Sequence, residues 1–360
     1  MEKEQELKNL IDAISPIDSN IFQKAKEHTA QLVMPPRALG RLHEISERIC
    51  AIQRTLNPDV SQKQVIVFAG DHGIVEEGVS AFPQVVTLEM VRCFIKGGAG
   101  ISVISRFVGA KVMVVDMGII PDFIPENQEE KAIFKENKVA RGTKNFAKGP
   151  AMTRDEAVQS ILNGFNIAKE AISNGIKIIA TGDMGIGNTT PSSAIGCVYT
   201  GESAEVMVGP GTGIDQEGIK KKIAAVKKGL DVNKPDPKDP IDVLSKVGGF
   251  EIGGIAGCIL ACAYHKIPVM IDGFISTAGA LIAKALCPSS VEYMFAGHKS
   301  EEPGHIAMLK HLGLTPLLDL GMRLGEGTGG ALAMNIVDAA CHVFNEVMTF
   351  DQAGVHEKEN

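Results

Sequence analysis

Hydrophobic residues follow two different patterns along the 360-residue chain. Residues 1–60 are charged and helical in pattern, with a break at the "MPPRALG" segment of residues 34–40. Beyond residue 60, short runs of branched residues alternate with longer helical patterns, and the runs have the length of buried parallel strands. They cover residues 64–70, 110–118, 176–183, 267–273 and 291–297. This alternation predicts an α/β fold with a doubly wound parallel sheet flanked by helices.

Aspartates mark the carboxyl ends of four of these runs. They are Asp71, Asp116, Asp183 and Asp272. Because ligands of open α/β sheets bind outside the carboxyl ends of the strands, these residues predict a polar rim around a ligand site. The alternative for each aspartate is that it caps the helix that follows. A capping box of Thr153 and Glu156 predicts the start of one long helix, over residues 153–173.

Composition narrows the classes of partner. The net charge of −7 and the lack of a long basic block disfavour nucleic acids and anionic membranes. No tryptophan and only three tyrosines leave little for a base-stacking platform. No apolar stretch approaches the roughly 20 residues of a membrane span, and the charged N-terminus is unlike a signal peptide. We therefore expect a cytosolic protein.

The seven cysteines are odd in number and lie mostly in apolar runs, which predicts reduced core thiols. Cys258 and Cys262 share a helical face, a spacing that a metal could use. Neither a CxxC motif nor a nearby third ligand accompanies them, so core packing is the better interpretation.

Glycine is in excess, with 39 residues that cluster in a few loops. Three loops combine glycine with threonine, at residues 182–194, 208–222 and 325–330. Glycines followed by hydroxyl residues at a helix start present free N–H and O–H donors, which suits a phosphate. One of the lysines at 220–222 could add a charge. Neither a Walker A motif nor a dinucleotide fingerprint is present, so the three loops together predict a phosphorylated ligand of another kind.

Glu326 is the single acidic residue of the glycine-rich stretch "GMRLGEGTGGALA", residues 321–333. The apolar run that follows predicts a helix, so the carboxylate could be a partner of the helix dipole. Taken alone, the stretch favours this interpretation, and the alternative is a general base. No GxSxG motif and no cysteine in a catalytic context point to a nucleophile. Acid–base chemistry therefore has three candidates, Glu326, Asp183 and Asp71.

Two further segments have a functional and an ordinary interpretation. In residues 71–87, Ser80, Phe82 and Gln84 could form the wall of a pocket for a small ring, or belong to a loop that leads into a helix. Residues 297–305, "GHKSEEPGH", hold two histidines and two glutamates. The helical register is interrupted by a Pro-Gly pair and HExxH is absent, so a substrate-contacting loop is favoured over a metal site.

Six motifs together resemble the nicotinate-nucleotide–dimethylbenzimidazole phosphoribosyltransferase family of cobamide biosynthesis. They are "FAGDHGIVEEGVSAFPQ", "TGDMGIGNTTPSSA", "GPGTGIDQEGIKKK", "IDGFISTAGALIA", "GHKSEEPGH" and "LGMRLGEGTGGALA". They occur in order between about residues 30 and 355. The resemblance implies a Rossmann-like parallel sheet in residues 61–330, a small helical domain from residues 1–60 and 331–360, and a dimer with shared active sites.

The resemblance also implies the reaction. The phosphoribosyl group of nicotinate mononucleotide moves to a lower-ligand base, and α-ribazole 5′-phosphate and nicotinate are formed without a metal or other cofactor. The glutamate of the "GEGTG" motif, Glu326, is implied as the base. The implied acceptor-binding residues are Ser80, Phe82, Gln84, Asp183, Met184 and Leu324. The implied phosphate- and nucleotide-binding residues are Gly185, Gly187, Asn188, Thr189, Thr190, Gly209, Gly211, Lys222, Ser300 and Gly325.

One departure from the family pattern concerns the acceptor. Asp183 replaces the glutamate of a common "GEMGIGNTT" motif and is one methylene shorter. A branch of the family activates phenol or p-cresol as a heterodimer of two related chains, and it fits these residues as well as a benzimidazole-activating homodimer does. A hypothesis of another class is a non-catalytic subunit that binds a mononucleotide. Small-molecule substrates are expected in the first two cases, and neither nucleic acid nor membrane in any.

Overall fold

In a computed structural model that describes residues 2–356, all the strands of the chain's sheet are parallel. The strands are β1 (Lys63–Gly70), β2 (Ala110–Gly118), β3 (Phe134–Glu136), β4 (Ile178–Met184), β5 (Val269–Ile271) and β6 (Met294–Ala296). They pair in the order β3-β2-β1-β4-β5-β6. The chain therefore reverses its direction of winding between β1 and β4, where a crevice for a ligand forms in folds of this kind.

The helices of the described chain fill the connections and both termini. They are α1 (Glu2–Asp12), α2 (Ser19–Ala30), α3 (Arg41–Gln53), α4 (Val86–Ile95), α5 (Gly100–Val108), α6 (Gln128–Ile133), α7 (Arg154–Ser173), α8 (Thr189–Thr200), α9 (Ala204–Met207), α10 (Gln216–Asn233), α11 (Pro240–Val247), α12 (Phe250–His265), α13 (Phe274–Leu286), α14 (His305–Leu312), α15 (Thr328–Glu346) and α16 (Phe350–Ala353). Two short 3₁₀ helices cover Gly73–Glu77 and Pro288–Tyr293.

The predicted strands are confirmed, and one further strand escaped prediction. Each of the five branched runs contains a strand, although β5 and β6 are only three residues long. The missed strand, β3, has the sequence "FKE" and only Phe134 is buried in it. A three-residue edge strand with two charged positions has no apolar alternation to reveal it. The capping box at Thr153 is confirmed, since its side chain and that of Glu156 bond each other's backbone N–H.

Helices cover the two faces of the sheet. Helix α12 packs on β1, β2 and β4, and its Gly254 faces Phe68 of β1. Helix α15 packs on β4 and β5, and Gly327 at its start faces Val65 of β1. Positions 65 and 68 point to opposite faces because side chains alternate along a strand. Cys258 and Cys262 of α12 are fully buried free thiols in the core, as predicted.

The chain termini pack against each other beside the sheet. Leu32 forms an isolated antiparallel bridge with Thr349, and Ala25, Cys50 and Phe344 form a small apolar cluster of their own. These contacts agree with a small helical domain built from both ends, although α1 packs instead on α7 and α12. The exact domain division stays a prediction, and residues 1 and 357–360 lie outside the described part. Among residues 2–356, no helix is long and apolar enough to cross a membrane.

Candidate active site

A cavity of about 410 Å³ opens where the strand order reverses, at the carboxyl end of β4. Asp183 and Met184, the last residues of that strand, pair in register with Phe68 and Ala69 of β1 and line the cavity floor. The glycine-rich loops at residues 185–189, 211–212 and 323–326 form much of its wall. The three Gly/Thr loops noticed in the sequence therefore meet at one site.

One end of the cavity is built to receive an anion. The loop after β4 turns through Gly187, whose φ is 89°, and Gly185 packs so closely that a Cβ there would lie 2.4 Å from the carbonyl oxygen of Gly70. Helix α8 begins at Thr189 directly after this loop. The first N–H groups of a helix lack partners within it and carry partial positive charge, so this end attracts a phosphate.

Lys222 of α10 supplies a cation to the same end. Its ammonium donates to Thr189 Oγ1 at 2.5 Å and to the carbonyl oxygen of Gly209 at 3.2 Å, and the residue is 1% exposed. Among residues 2–356, no carboxylate oxygen lies within 4 Å of this nitrogen. Burial lowers the pKa of Lys222 to about 8, although the charge of Glu302 opposes the shift. A buried ammonium without an anionic partner favours binding of an anion.

Gly211 connects the groups at this end, which we call the anion corner. Its N–H donates to Glu302 Oε1 at 2.9 Å. Its φ of 53° is in the left-handed region, and a Cβ there would lie 2.9 Å from Thr189 Oγ1 and 3.0 Å from Lys222 Nζ. Only glycine lets this backbone approach the lysine so closely.

Glu326 lines the same cavity on an unusual backbone, and with Asp183 it forms what we call the acid end. Three successive residues, Gly325, Glu326 and Gly327, have φ values of 81°, 62° and 93°. Left-handed conformation costs a residue with a side chain about 1 kcal/mol or more, and such strain is concentrated at functional sites. The loop also presses on β4, because a Cβ at Gly182 would lie 2.4 Å from the carbonyl oxygen of Glu326. The glycines on both sides thus permit one carboxylate to be held against the sheet.

The Glu326 carboxylate is a helix cap as well as a candidate base, but not for the helix expected. Its Oε2 accepts the N–H of Ile101 at 3.0 Å, in the first turn of α5. The start of its own helix, α15, is held by Asp272, which accepts from Gly327 and Gly330. Burial raises the pKa of Glu326, the Ile101 bond opposes the rise, and the charge of Asp272 adds to it. A carboxylate that is 5% exposed with a raised pKa suits a general base.

Asp183 lies against Gly325 in the lining of the cavity. Its carboxylate accepts from Asn188 Nδ2 at 2.9 Å, and a Cβ at Gly325 would lie 3.3 Å from its Oδ1. Burial and the charge of Asp272 raise the pKa of Asp183 to about 8, although the Asn188 bond opposes the rise. At neutral pH the protonated form prevails, so Asp183 is an acid or hydrogen-bond donor where Glu326 is a base.

The four strand-end aspartates divide into one cavity residue and three structural ones. Asp116 accepts the N–H of Gly118 and Ile119, while Asp71 accepts that of Ile120. Asp272 caps α15 as described. None of the three caps the helix that follows its own strand: Asp71 and Asp116 bond loop N–H groups and Asp272 caps the distant α15. These structural bonds remove Asp71 from the acid–base candidates. Only Asp183 of the four lines the cavity.

The predicted acceptor residues line the cavity, with one exception. Ser80, Phe82, Met184 and Leu324 line the cavity. Gln84 does not, because its amide donates to the carbonyl oxygen of His72 at 3.2 Å. Cavity residues that sequence reasoning missed are Val79, Val86, Met90, Ile186, Thr212, Gly273, Phe274, Ile275 and Arg323. His298 and Glu302, from the segment expected to contact the substrate, line the cavity as well. The i, i+4 spacing of Val86 and Met90 on α4 was a usable signal for a shared face.

The predicted phosphate residues fall into two layers. Gly185, Gly187, Asn188, Thr189, Gly211, Ser300 and Gly325 line the cavity. Lys222 and Gly209 lie just behind this lining, joined to it through Thr189. Thr190 is fully buried in the first turn of α8 and does not reach the cavity.

The histidines of residues 297–305 are engaged in local bonds. His298 Nδ1 lies 3.1 Å from the carbonyl oxygen of Lys299, and His305 pairs with Thr277 Oγ1 and the N–H of Ser300. Burial lowers the pKa of His305 to about 3, and His298 adds to the fall. Across residues 2–356, no group of three or more His, Cys, Asp or Glu side chains is arranged to hold a metal ion.

A Rossmann-like parallel sheet with an anion corner and an acid pair at its switch point defines an α/β enzyme that acts on a phosphorylated ligand. Comparison with known proteins narrows the class. A family model described as phosphoribosyltransferase matches residues 14–355. A nicotinate-nucleotide–dimethylbenzimidazole phosphoribosyltransferase of Geobacter sulfurreducens is 50% identical over 351 residues, 98% of each chain. A relative of that name from Desulforudis audaxviator is 49% identical over 98% of this chain and 99% of its own.

A solved structure gives the same assignment. The crystal structure of the phosphoribosyltransferase of that name from Thermus thermophilus has a TM-score of 0.89 and 41% identity, and the match covers 95% of this chain and 100% of the other. The chain belongs to the nicotinate-nucleotide–dimethylbenzimidazole phosphoribosyltransferase family.

Proposed function

We propose that this enzyme transfers the phosphoribosyl group of nicotinate mononucleotide to 5,6-dimethylbenzimidazole or a related lower-ligand base in cobalamin nucleotide-loop assembly. The products are α-ribazole 5′-phosphate and nicotinate. The observation that carries the proposal is the arrangement of one cavity. Thr189 lines its anion corner with Lys222 directly behind, and the buried Glu326 carboxylate lies in the same lining. This arrangement matches a donor with a phosphate and an acceptor that must lose a proton.

The chemistry needs positioning more than activation of the donor. The ring of the donor is a pyridinium that leaves as a neutral pyridine, taking the electrons of its bond to C1′. A ring nitrogen of the acceptor attacks C1′ from the opposite face, so that a β-nucleotide gives an α product. The other ring nitrogen loses its proton to Glu326. Fixing the reactants and the base in one cavity lowers the barrier through orientation and general-base catalysis.

Asp183 acts with the acceptor in this proposal. In its protonated form it donates a hydrogen bond and adds no second negative charge beside Glu326. The apolar side chains of Val86, Met90 and Met184 line the same end of the cavity and suit a flat, largely apolar ring. No metal or organic cofactor is part of the proposed reaction, since the leaving group is a neutral ring and not a pyrophosphate.

A dimer is part of the proposal. Phe82 and Leu324 at the cavity rim are 50% and 60% exposed, and apolar residues of this size at the mouth of a site favour cover by a second chain. The homodimer and the heterodimer with a related chain both remain compatible with this rim. The seven free thiols, six of them buried, support a cytosolic location.

The test is incubation of the purified chain with nicotinate mononucleotide and, separately, dimethylbenzimidazole, adenine and phenol. Products are identified by mass. We expect nicotinate release together with a ribazole phosphate, fastest with dimethylbenzimidazole. Binding of the mononucleotide without release of nicotinate for any acceptor would contradict the proposal and favour a non-catalytic subunit. A phenolic product as the main one would place the chain in the phenol-activating branch.

A further inference from the structure

The cavity has few positive charges to offer a phosphorylated ligand. Three carboxyl groups line it, those of Asp183, Glu302 and Glu326. Lys222 lies behind the lining, and burial leaves its pKa at only about 8. A phosphate monoester carries close to two negative charges at neutral pH. One ammonium cannot balance two negative charges, which directs attention to other cations at the cavity.

Arg323 is the one lysine or arginine among the described residues that line the cavity. Its Nη1 donates to the carbonyl oxygen of Gly211 at 3.1 Å. The N–H of Gly211 donates to Glu302, and Lys222 Nζ lies next to the Gly211 Cα. Both cations are therefore anchored around a single glycine of the anion corner. Arg323 reaches it from the loop of Glu326, whereas Lys222 reaches it from α10.

The position of Arg323 is fixed by its neighbours. The carbonyl oxygen of Met322 accepts the N–H of Glu301, which holds the start of the loop beside the residues 300–302. Leu324 packs on Gly100 of α5. With one N–H bonded to Gly211, the guanidinium keeps further donors in a planar fork, the geometry that suits the oxygens of a phosphate or a carboxylate. The neighbours hold the loop, whereas the Arg323 side chain is exposed, so its guanidinium can turn onto a ligand in the cavity.

We propose that Arg323 is the second cation for the donor and binds its 5′-phosphate together with Lys222 and the start of α8. This inference rests on the proposed function, since it assumes a mononucleotide donor. It adds a link between the two ends of the cavity, because the residue that binds the phosphate lies three positions before the base. The ring carboxylate of the donor has the same anionic chemistry and is the alternative source of the contact.

The test uses three ligands and three forms of the whole chain. Dissociation constants of nicotinate mononucleotide, nicotinamide mononucleotide and nicotinate riboside are measured by calorimetry. The forms are wild type, Arg323→Gln and the matched control Arg106→Gln. Arg106 is also exposed and also donates to a glycine carbonyl, that of Gly97 at 2.8 Å, but it lies outside the cavity lining. Thermal melting of each form checks folding.

The expected result is a loss specific to phosphate. Arg323→Gln weakens both mononucleotides by about tenfold to a hundredfold, the range of a hydrogen bond to a charged group, and changes riboside binding less than twofold. Arg106→Gln changes none of the three. Equal weakening of all three ligands would show that Arg323 only supports the Gly211 loop and would overturn the proposal. So would weakening confined to the two nicotinate compounds, which assigns Arg323 to the ring carboxylate.

Failure of the proposed function is visible separately. Nicotinate release by the wild-type chain is assayed in parallel. A chain that binds the mononucleotide without releasing nicotinate contradicts the transfer reaction, while the role of Arg323 is decided by the binding ratios alone.

Discussion

The two ends of the cavity hold ionisable groups in opposite states. At the anion corner a buried ammonium, that of Lys222, has no carboxylate within 4 Å among residues 2–356, and burial lowers its pKa. At the acid end Asp183 and Glu326 face one cavity, and burial raises the pKa of both. Each end is therefore electrostatically unfavourable when empty.

The difference between the ends matches the charges of the proposed donor. Nicotinate mononucleotide has an anionic phosphate and a cationic pyridinium ring on one ribose. In the proposed reaction the phosphate is a partner for the isolated ammonium, and the positive charge that passes from the ring to C1′ is a partner for the Glu326 carboxylate. A site whose charges are uncompensated until the ligand binds is organised in advance for that ligand. The comparison predicts separate effects at the two ends, on turnover at the acid end and on donor binding at the anion corner.

The largest effect is expected at the acid end. Glu326→Gln keeps the shape of the side chain and an oxygen for the Ile101 N–H, but it removes the base. We expect kcat to fall by about a hundredfold or more, the usual contribution of a general base, with little change in the melting temperature. The control is Glu301→Gln, an exposed neighbour. Near-normal turnover in the Glu326→Gln variant would contradict the assignment of Glu326 as the base.

The next effect concerns the anion corner. Lys222→Met keeps most of the side-chain volume and removes the charge, so we expect KM for the mononucleotide to rise by about tenfold to a hundredfold, with a smaller change in kcat. The empty variant should melt at a higher temperature, because an isolated buried ammonium is replaced by an apolar group. Lys220→Met is the control on the same helix, with a side chain 75% exposed. A fall in kcat without a rise in KM would contradict the separate roles of the two ends.

The fold was largely readable from the sequence because parallel buried strands leave continuous apolar runs. The five runs, the capping box at Thr153 and the helix after Glu326 were all predictable from local patterns. The edge strand β3 was not, since three residues with one buried phenylalanine have no pattern. Local sequence shows which segments form elements but not which ends of them meet.

The candidate site was predictable as loops and less so as contacts. Glycine-threonine loops predict a phosphate site, and all three of these loops lie in or next to the lining of the cavity. The carboxylate of Glu326 caps α5, more than 200 positions earlier in the chain, a contact that no local pattern contains. Arg323 was missed for the same reason, since its importance comes from Gly211 on another loop. Gln84 was expected at the cavity, and its bond to His72 takes it elsewhere.

A pH profile sharpens the comparison further. Turnover should rise with pH as Glu326 loses its proton, and should fall again as Asp183 ionises, with an apparent pKa near 8. The acidic and alkaline limbs of the profile reflect the coupled titration of Glu326 and Asp183. Substitution of one group therefore decides which limb it causes. We expect Asp183→Asn to lower kcat several-fold at neutral pH and to flatten the alkaline limb. An alkaline limb in kcat that survives this substitution would exclude Asp183 as its source. The titration of Lys222 should appear in KM for the donor and not in kcat.

The smallest effect is on stability, and its sign follows from proton binding. The pKa of Asp183 is raised from 3.8 to about 8 on folding, so between these values the folded chain holds a proton that the unfolded chain has lost. Its stabilising contribution is complete below about pH 4 and is lost as the pH rises toward 8.

Asp183→Asn removes this dependence and keeps an oxygen for Asn188. Relative to wild type, the unfolding free energy of the variant should therefore increase from pH 5 to pH 6, by the order of 1–2 kcal/mol. The exposed Asp231→Asn serves as the control and should show no such trend in denaturant titrations at the two pH values. A constant difference between Asp183→Asn and wild type would mean that Asp183 ionises in the folded protein much as it does in the unfolded chain. The raised pKa that distinguishes the acid end from the anion corner would then be absent at Asp183.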